Sequence, residues 1–199
     1  MEKLVTEDEV LAEFRAADAL LEGHFILSSG LRSSRYLQCA RVLMNPARAA
    51  RLAAALVAKL PADIRDAIDI VLSPAMGGII IGHEIGRALG KDAVFLERPD
   101  GVFELRRGFS IPSSARALMV EDVVTTGLSS REAIAAAERA GANVIAEVAL
   151  VDRSGGSVDL GVPFLPLIAI DVPTYDADVL PPELAAIPAV KPGSRKVEA

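Results

Sequence analysis

Residues 117–129, ALMVEDVVTTGLS, lead from an apolar run through two acids and several hydroxyl residues into a second periodic segment. The run 117–120 has the length of a buried strand, and the residues from Ser129 onward have helical spacing. A strand followed by a helix is the unit of a mostly parallel α/β sheet, in which ligands bind at the carboxyl ends of the strands. The stretch therefore predicts both a fold class and the place of a site.

The same alternation continues along the chain after Pro61. The predicted strands are 69–72, 93–96, 117–120 and 144–151, and the predicted helices are 78–89 and 129–140. This order favours an α/β domain with a central, mostly parallel sheet flanked by helices. We expect one domain over residues 1–199, because domains usually hold about 100–200 residues.

Two further helices are predicted before that region. Apolar residues at helical spacing indicate a helix over 7–21, with Thr6 as its N-cap. Asn45 followed by Pro46 is typical of a helix start, and the alanine-rich segment that follows predicts a helix to about residue 60.

Composition excludes several classes of protein. The 199 residues are 51% hydrophobic, with 21 Lys and Arg against 27 Asp and Glu, a net charge of −6. This balance argues against disorder and against a broad basic surface for nucleic acid. One cysteine, Cys39, suits a reducing compartment. Because we find neither a signal-peptide pattern nor an apolar run of membrane-spanning length, we expect a cytoplasmic protein that does not enter a membrane.

Charge is distributed unevenly. Residues 23–62 contain no Asp or Glu, and they contain six cations: Arg32, Arg35, Arg41, Arg48, Arg51 and Lys59. Two interpretations stay open. These side chains extend from helix faces into water, or they form an anion-binding lobe.

Residues 121–129 have the chemistry of a phosphate and sugar site. The N–H groups at a helix start bind phosphate, the hydroxyls of Thr125, Thr126 and Ser129 add donors, and Gly127 permits close approach of the backbone. The carboxylates of Glu121 and Asp122 would accept hydrogen bonds from ribose hydroxyls or help to hold a Mg²⁺ ion. Without further motifs, a solvated turn followed by a simple helix cap would be the favoured explanation of the pattern.

Further motifs favour the site. Residues 120–129, VEDVVTTGLS, resemble the phosphoribosyl diphosphate (PRPP) motif of the type I phosphoribosyltransferases. Residues 23–38, GHFILSSGLRSSRYLQ, the SPAMGG segment at 73–78 and the Asp-Arg pair at 152–153 resemble segments of the orotate phosphoribosyltransferase family. LRRGF at 105–109 and KPGSR at 191–195 resemble one bacterial branch of it.

The resemblance implies a type I phosphoribosyltransferase fold with a small lobe over about residues 1–45 and a mobile loop over about 98–116. It assigns orotate to Thr125 and Arg153, and charge stabilisation at the ribose to Asp122. It assigns the diphosphate to the loop of Ala75, Met76, Gly77 and Gly78. It assigns PRPP to Glu121, Asp122, Val123, Val124, Thr125, Thr126, Gly127, Leu128 and Ser129.

The chain also departs from the family pattern. Many members carry lysine at the positions of Ser28 and Gly77, and a lysine-rich mobile loop. Here Arg98, Arg106 and Arg107 are the cations in that loop, and we propose them, without preference among the three, as the groups that stabilise the departing diphosphate. If these three arginines do not stabilise the diphosphate, the alternative cations are Arg32, Arg35 and Lys91.

The expected reaction transfers a 5-phosphoribosyl group from PRPP to orotate, giving orotidine 5′-phosphate and diphosphate in pyrimidine biosynthesis. The resemblance implies a homodimer and Mg²⁺ held mainly through PRPP, with no direct protein ligand. Two alternatives stay open. A purine-type phosphoribosyltransferase would share residues 117–129 without needing Arg153, and a non-catalytic PRPP-binding regulator would bind without turnover.

Overall fold

The computed structural model describes residues 6–27 and 30–191. Its helices are α1 (Glu7–Ala16), α2 (Cys39–Leu43), α3 (Pro46–Lys59), α4 (Ala62–Ala67), α5 (Gly78–Leu89), α6 (Leu128–Arg139) and α7 (Pro182–Ala185). Its strands are β1 (Leu20–Ile26), β2 (Arg32–Leu37), β3 (Ile70–Pro74), β4 (Ala93–Glu97), β5 (Glu104–Leu105), β6 (Arg116–Val124), β7 (Asn143–Asp152), β8 (Phe164–Ala169) and β9 (Thr174–Tyr175).

Six strands form the central sheet in the order β5-β4-β3-β6-β7-β8. Every pair is parallel except β4 with β5. Helices α1, α2, α3 and α5 pack on one face, and α6 packs on the other, so that the sheet separates two apolar cores. The predicted α/β architecture with a mostly parallel central sheet is confirmed.

Local signals identify the helix starts well. Thr6 and Glu9 form a capping box at the start of α1, and the Asn45 side chain accepts a hydrogen bond from the Arg48 N–H at the start of α3. Both starts agree with the prediction, because a cap depends on residues within one turn of each other. Gly78, Gly82 and Gly86 recur at every fourth position of α5 and allow it to pack closely on the sheet, since a Cβ at Gly82 would lie 2.7 Å from the Ser73 hydroxyl of β3.

Two predicted boundaries are wrong. The helix predicted over 7–21 ends at Ala16, and residues from Leu20 onward form β1 because they pair with β2. The strand predicted over 117–120 continues to Val124, so that both acids lie inside β6, which pairs with β7 up to Val124. In each case hydrogen bonds to a strand distant in sequence decide the outcome, and periodicity does not report those bonds.

A second, antiparallel sheet has the order β1-β2-β9. It combines the amino-terminal segment with residues near 175, which come from the other end of the chain. The sequence predicts a small lobe over about residues 1–45. Its boundaries stay a prediction, because the sheet in this part of the molecule also includes β9.

Most cations of the acid-free segment 23–62 bond to carbonyl or carboxylate groups of the protein itself. Lys59 donates to the carbonyl oxygens of Pro166 and Leu167. Four arginines form ion pairs with acids that precede the segment: Arg35 with Glu22, Arg41 with Asp18, and Arg48 and Arg51 with Glu13. An anion-binding role therefore stays a hypothesis for Arg32, whose buried Nε and Nη1 have no partner within the described chain.

None of the helices in the described ranges 6–27 and 30–191 is both long enough and apolar enough to cross a bilayer.

Candidate functional site

Two loops meet at one edge of the central sheet. The loop from Ala75 to Gly78 follows the carboxyl end of β3, and residues 125–129 follow the carboxyl end of β6. Because β3 and β6 are parallel neighbours, both loops and the starts of α5 and α6 lie at the same edge. The structure thus brings together the segments that were assigned to diphosphate and to PRPP, at the place where α/β sheets bind ligands.

Glu121 and Asp122 lie on opposite faces of the sheet, because successive side chains in a strand alternate. Glu121 faces α6 and interacts with the Ser129 hydroxyl. Asp122 faces the loop before α5, where a Cβ on Gly77 would be only 2.6 Å from the carboxylate. The two acids therefore approach a ligand at this edge from different sides of β6.

Asp122 is the better placed of the two to meet a ligand charge at the first loop. Its Oδ1 accepts a hydrogen bond of 2.9 Å from the Val123 N–H, and Gly77 leaves its carboxylate uncovered by a side chain. Burial raises the pKa of Asp122, against the effect of the backbone N–H groups. The buried Cys39 thiol donates to the Asp122 carbonyl oxygen at 3.9 Å.

Glu121 lies in a drier environment. Its side chain is 6% exposed, and burial, followed by the neighbouring Asp122 and Glu147, raises its pKa to about 8. The Ser129 hydroxyl and a backbone N–H act in the opposite direction. At neutral pH the carboxyl is therefore protonated in the free protein, a state that the sequence pattern does not reveal.

The loop between β6 and α6 has the conformation of an anion cradle. Thr125 and Thr126 are exposed, and the Thr126 Oγ1 accepts a hydrogen bond of 3.4 Å from the Leu128 N–H. Gly127 has φ +70° and caps α6, and a Cβ there would collide with Val158 and Leu160. Gly127 supplies no side-chain cap, so apart from the Leu128 N–H the N–H groups that begin α6 have no capping side chain at this edge of the sheet.

Arg131 supports this loop and is absent from the site residues predicted from sequence. Its guanidinium donates to the carbonyl oxygen of Thr126 at 3.0 Å and to that of Asp159 at 3.1 Å. These bonds fix the loop against the segment after β7. The sequence places Arg131 in the first turn of the predicted helix. It does not show which carbonyl oxygens the guanidinium bonds, because the Asp159 carbonyl is brought there by the tertiary fold.

Arg153 follows the carboxyl end of β7, and its N–H donates to the Val124 carbonyl at 2.8 Å, which places it beside Thr125. The guanidinium is half-buried, its Nε has no partner, and burial lowers its pKa. Within residues 6–27 and 30–191 it forms no ion pair. The neighbouring Asp152 accepts a hydrogen bond from the Ser154 N–H at 2.7 Å. Arg153 lies near Tyr36 and Cys39, which joins the amino-terminal segment to this edge.

The three loop cations differ in position. Arg98 directly follows β4, bonds Glu132 of α6 at 2.5 Å, and stacks 4.0 Å above the Phe103 ring. Arg107 pairs with Glu97 at 2.7 Å. Because β5 runs antiparallel to β4 with Leu105 opposite Leu96, the backbone of Arg106 and Arg107 lies back along the sheet edge, but the Arg107 guanidinium returns to Glu97 at the carboxyl end of β4.

A magnesium ion would find few ligands in the free protein. Across the described residues, no group of three or more His, Cys, Asp and Glu side chains is arranged to hold a metal. The acids at the edge are Asp122 and the buried, protonated Glu121. This donor set fits an ion that takes most of its oxygen ligands from a bound phosphate.

Two of the sequence-based assignments lie outside the described residues. They are Ser28, which occupies a position where many family members carry lysine, and residues 192–195 of the KPGSR segment.

Comparison with known proteins gives the family. No protein-family profile matches the chain. The curated orotate phosphoribosyltransferase of Rhizorhabdus wittichii is 72% identical over 96% of this chain and 97% of its own length. The crystal structure of orotate phosphoribosyltransferase from Aeropyrum pernix has a TM-score of 0.66 and 26% identity, covering 80% of this chain and 93% of that one.

Fold alone does not distinguish between acceptors. An adenine phosphoribosyltransferase from Saccharomyces cerevisiae matches with a TM-score of 0.59 at 18% identity, over 79% of this chain and 99% of its own. The sequence relative at 72% identity over nearly both full lengths is far closer. The chain therefore belongs to the orotate phosphoribosyltransferase family, with the fold of the type I phosphoribosyltransferases.

Proposed function

We propose that this protein transfers the 5-phosphoribosyl group of PRPP to N1 of orotate, giving orotidine 5′-phosphate and diphosphate in the synthesis of pyrimidine nucleotides. The bond from the anomeric carbon to the diphosphate oxygen breaks, a bond to N1 of the acceptor forms, and the N1 proton is released to water. This scheme needs no covalent nucleophile from the protein. The task of the protein is to position both substrates and to stabilise charge.

One observation supports an orotate acceptor most directly. Arg153 lies half-buried at the end of β7 beside Thr125, and its guanidinium has no ion-pair partner in the described chain. A buried, unpaired cation is costly unless a ligand matches it. Orotate is a flat carboxylate, which a guanidinium can meet with two parallel hydrogen bonds.

The PRPP side of the proposal uses the two loops. Backbone N–H groups over residues 125–129 would surround the 5-phosphate, and those of the Ala75–Gly78 loop would approach the diphosphate. Glu121 and Asp122 would accept hydrogen bonds from the ribose hydroxyls, with Asp122 also steadying positive charge at the anomeric carbon. Mg²⁺, held mainly through PRPP, would neutralise the diphosphate.

Among the loop cations the geometry favours Arg98. It follows the carboxyl end of β4 and bonds a residue in the first turns of α6, whereas the backbone of Arg106 and Arg107 lies further back and the Arg107 guanidinium is paired with Glu97. To reach the diphosphate, Arg98 would exchange its bond to Glu132 for one to the ligand, and this requires movement of the loop predicted over 98–116. A homodimer and a cytoplasmic location stay predictions.

The activity is tested with purified protein, Mg²⁺, PRPP and orotate. We expect the absorbance of orotate to fall, and added diphosphate to reverse the change. Adenine, guanine and hypoxanthine serve as alternative acceptors. Consumption of a purine in place of orotate would support a purine-type enzyme. PRPP binding with no consumption of any acceptor would support a regulator.

A further inference from the structure

Arg131 joins two segments that follow different strands of the central sheet. It lies near the start of α6, and its guanidinium donates from Nη2 to the Thr126 carbonyl at 3.0 Å and from Nη1 to the Asp159 carbonyl at 3.1 Å. Thr126 belongs to the loop after β6, whereas Asp159 belongs to the segment between β7 and β8. A planar guanidinium presents its donors in a fixed geometry, so the two bonds together fix the distance between the loop and the segment.

The segment that Arg131 bonds is held in place by its own contacts. The Asp159 carboxylate accepts a hydrogen bond of 2.9 Å from the Gly161 N–H. Leu160 is buried in the core on the α6 face of the sheet, and Val158 packs against the same core. The Asp159 carbonyl is therefore a fixed point, and the bond from Arg131 extends its position to the loop after β6.

Gly127 packs against both Arg131 and this segment. A Cβ on Gly127 would meet the side chains of Val158 and Leu160 and would lie 2.9 Å from the Arg131 Nη1. These contacts cover the side of the loop that faces the segment after β7. In the sheet β7 flanks β6 on one side and β3 flanks it on the other, so the opposite side of the loop faces residues 75–78.

The bond to Thr126 also determines the direction of an N–H group. In a trans peptide unit the carbonyl and the N–H point in opposite directions. Because the Thr126 carbonyl points to Arg131, the N–H of the same unit, which belongs to Gly127, points away from the guanidinium. Among residues 6–27 and 30–191 this N–H has no hydrogen-bond partner, so it can donate to an anion.

We propose that Arg131 is a positioning residue for the 5-phosphate of PRPP and of orotidine 5′-phosphate, because its two carbonyl bonds hold the Gly127 N–H toward that phosphate. Arg131 itself touches neither ligand. This inference rests on the proposed function, which assigns the 5-phosphate to residues 125–129. Arg131 is exposed, so water can bond both carbonyl oxygens in its absence. We therefore expect the loop to lose its orientation while the fold loses little stability.

The four substrates of the reversible reaction separate this role from a general structural one. PRPP and orotidine 5′-phosphate carry a 5-phosphate, whereas orotate and diphosphate do not. In Arg131→Ala we expect KM to rise about 10-fold for the first two and to change less than about 2-fold for the other two. Steady-state kinetics in both directions measures all four values. Arg139→Ala, at the exposed end of the same helix, is the matched control and leaves all four in place.

Arg131→Lys is the second variant, and it also serves if the alanine variant does not fold. Lysine keeps the charge but lacks the planar fork, so we expect KM for PRPP to rise by a smaller factor, about 3-fold. An unchanged KM in the lysine variant would show that charge alone suffices, which overturns the role of the two carbonyl bonds. Equal rises for all four substrates, or no rise for PRPP, in an active alanine variant overturn it as well.

Failure of the proposed function gives a different result, because the unaltered protein would then consume no orotate. The role of Arg131 is still testable in that case by equilibrium titration with ribose 5-phosphate, which needs no turnover. We expect a Kd about 10-fold higher for Arg131→Ala than for the unaltered protein. Equal Kd values, or no binding to the unaltered protein, contradict the inference.

Discussion

Asp122 and Glu121 are adjacent in sequence, but the strand exposes them to different surroundings. Glu121 lies 6% exposed beneath α6, whereas Asp122 lies under Gly77 at the loop that precedes α5. The difference follows from the two-residue period of a strand, which sends neighbours to opposite faces. At the scale of the residue, we therefore expect charge stabilisation from Asp122 and a pH-dependent contribution from Glu121.

Replacing Asp122 by asparagine tests the first role. Asparagine keeps the shape but removes the negative charge, and we expect kcat/KM for PRPP to fall about 100-fold or more. Steady-state kinetics at saturating orotate measures it, with the exposed Asp63→Asn as the control. An unaltered value would remove Asp122 from the site.

Replacing Arg153 by alanine tests the acceptor site. Loss of a two-pronged contact to a carboxylate should raise KM for orotate by about 10- to 100-fold and leave KM for PRPP nearly constant. Arg153→Lys should recover only part of the loss, because an ammonium cannot form the paired contact. Arg139→Ala, on the exposed end of α6, provides the control; an equal rise in both KM values would argue against a specific orotate contact.

At the scale of the element, the start of α6 depends on a residue without a side chain. Gly127 combines a φ of +70° with close contact to Val158 and Leu160. Gly155 has a φ of +66°, and a Cβ added there would meet no other atom within 4 Å. A comparison of the same substitution at these two glycines therefore separates the effect of backbone strain from the effect of crowding.

Gly127→Ala should lower the free energy of unfolding by about 2–4 kcal/mol and raise KM for PRPP, because both strain and collision distort the loop. Gly155→Ala should cost about 1 kcal/mol, from strain alone. Urea unfolding measures both. Equal losses of unfolding free energy in the two variants would show that the neighbours of Gly127 move aside for a Cβ at no cost in stability.

The loop after β4 gives a second test at this scale. Arg98→Ala should lower kcat about 10-fold or more, while Arg106→Ala and Arg107→Ala should lower it less. Glu132→Gln removes the partner of Arg98 but keeps the cation, so it separates the ion pair from a role at the diphosphate. If the triple alanine variant keeps its kcat, the cationic role belongs elsewhere, with Arg32 the first candidate.

At the scale of the whole molecule, buried acids make stability depend on pH. The pKa values of Glu147 and Glu121 are raised to about 7 and about 8, so the folded protein retains two protons that the unfolded chain releases above about pH 4.5. Because the unfolded state then binds fewer protons, the free energy of unfolding falls as pH rises through this window.

We therefore expect the free energy of unfolding to decline from about pH 5 to about pH 8. Urea unfolding at several pH values measures it, and Glu147→Met should flatten the decline.

Glu13 acts in the other direction. Hydrogen bonds from Arg48 and Arg51 lower its pKa, so its contribution is lost only as pH falls below the ordinary range of a glutamate. A stability that rises toward pH 8 would contradict these charge states.

Much of this protein was predictable from short-range patterns. Residues within a few positions of each other predict the starts of α1 and α3, the alternation of β3, α5, β4, β6, α6 and β7, and the segment over 121–129. The family motifs also single out Arg153 as a candidate contact for orotate, which stays a prediction. Capping, periodicity and turn chemistry act over one or two turns, so the sequence displays them directly.

Other features depend on residues that are distant in sequence. Residues 20–21 form a strand and not a helix because β2 pairs with them, and β6 continues through its acids because β7 does. The ion pairs of the acid-free segment, the bonds of Arg131 and the burial of Glu147 likewise join separate elements. By itself the sequence determined which types of residue follow the strands at this edge of the sheet. Only the tertiary structure decided which acid is buried away from water, and which arginine has no ion-pair partner among the described residues. It also decided which element each side chain faces. Burial and the distance to a partner arise from packing between elements that are far apart in sequence.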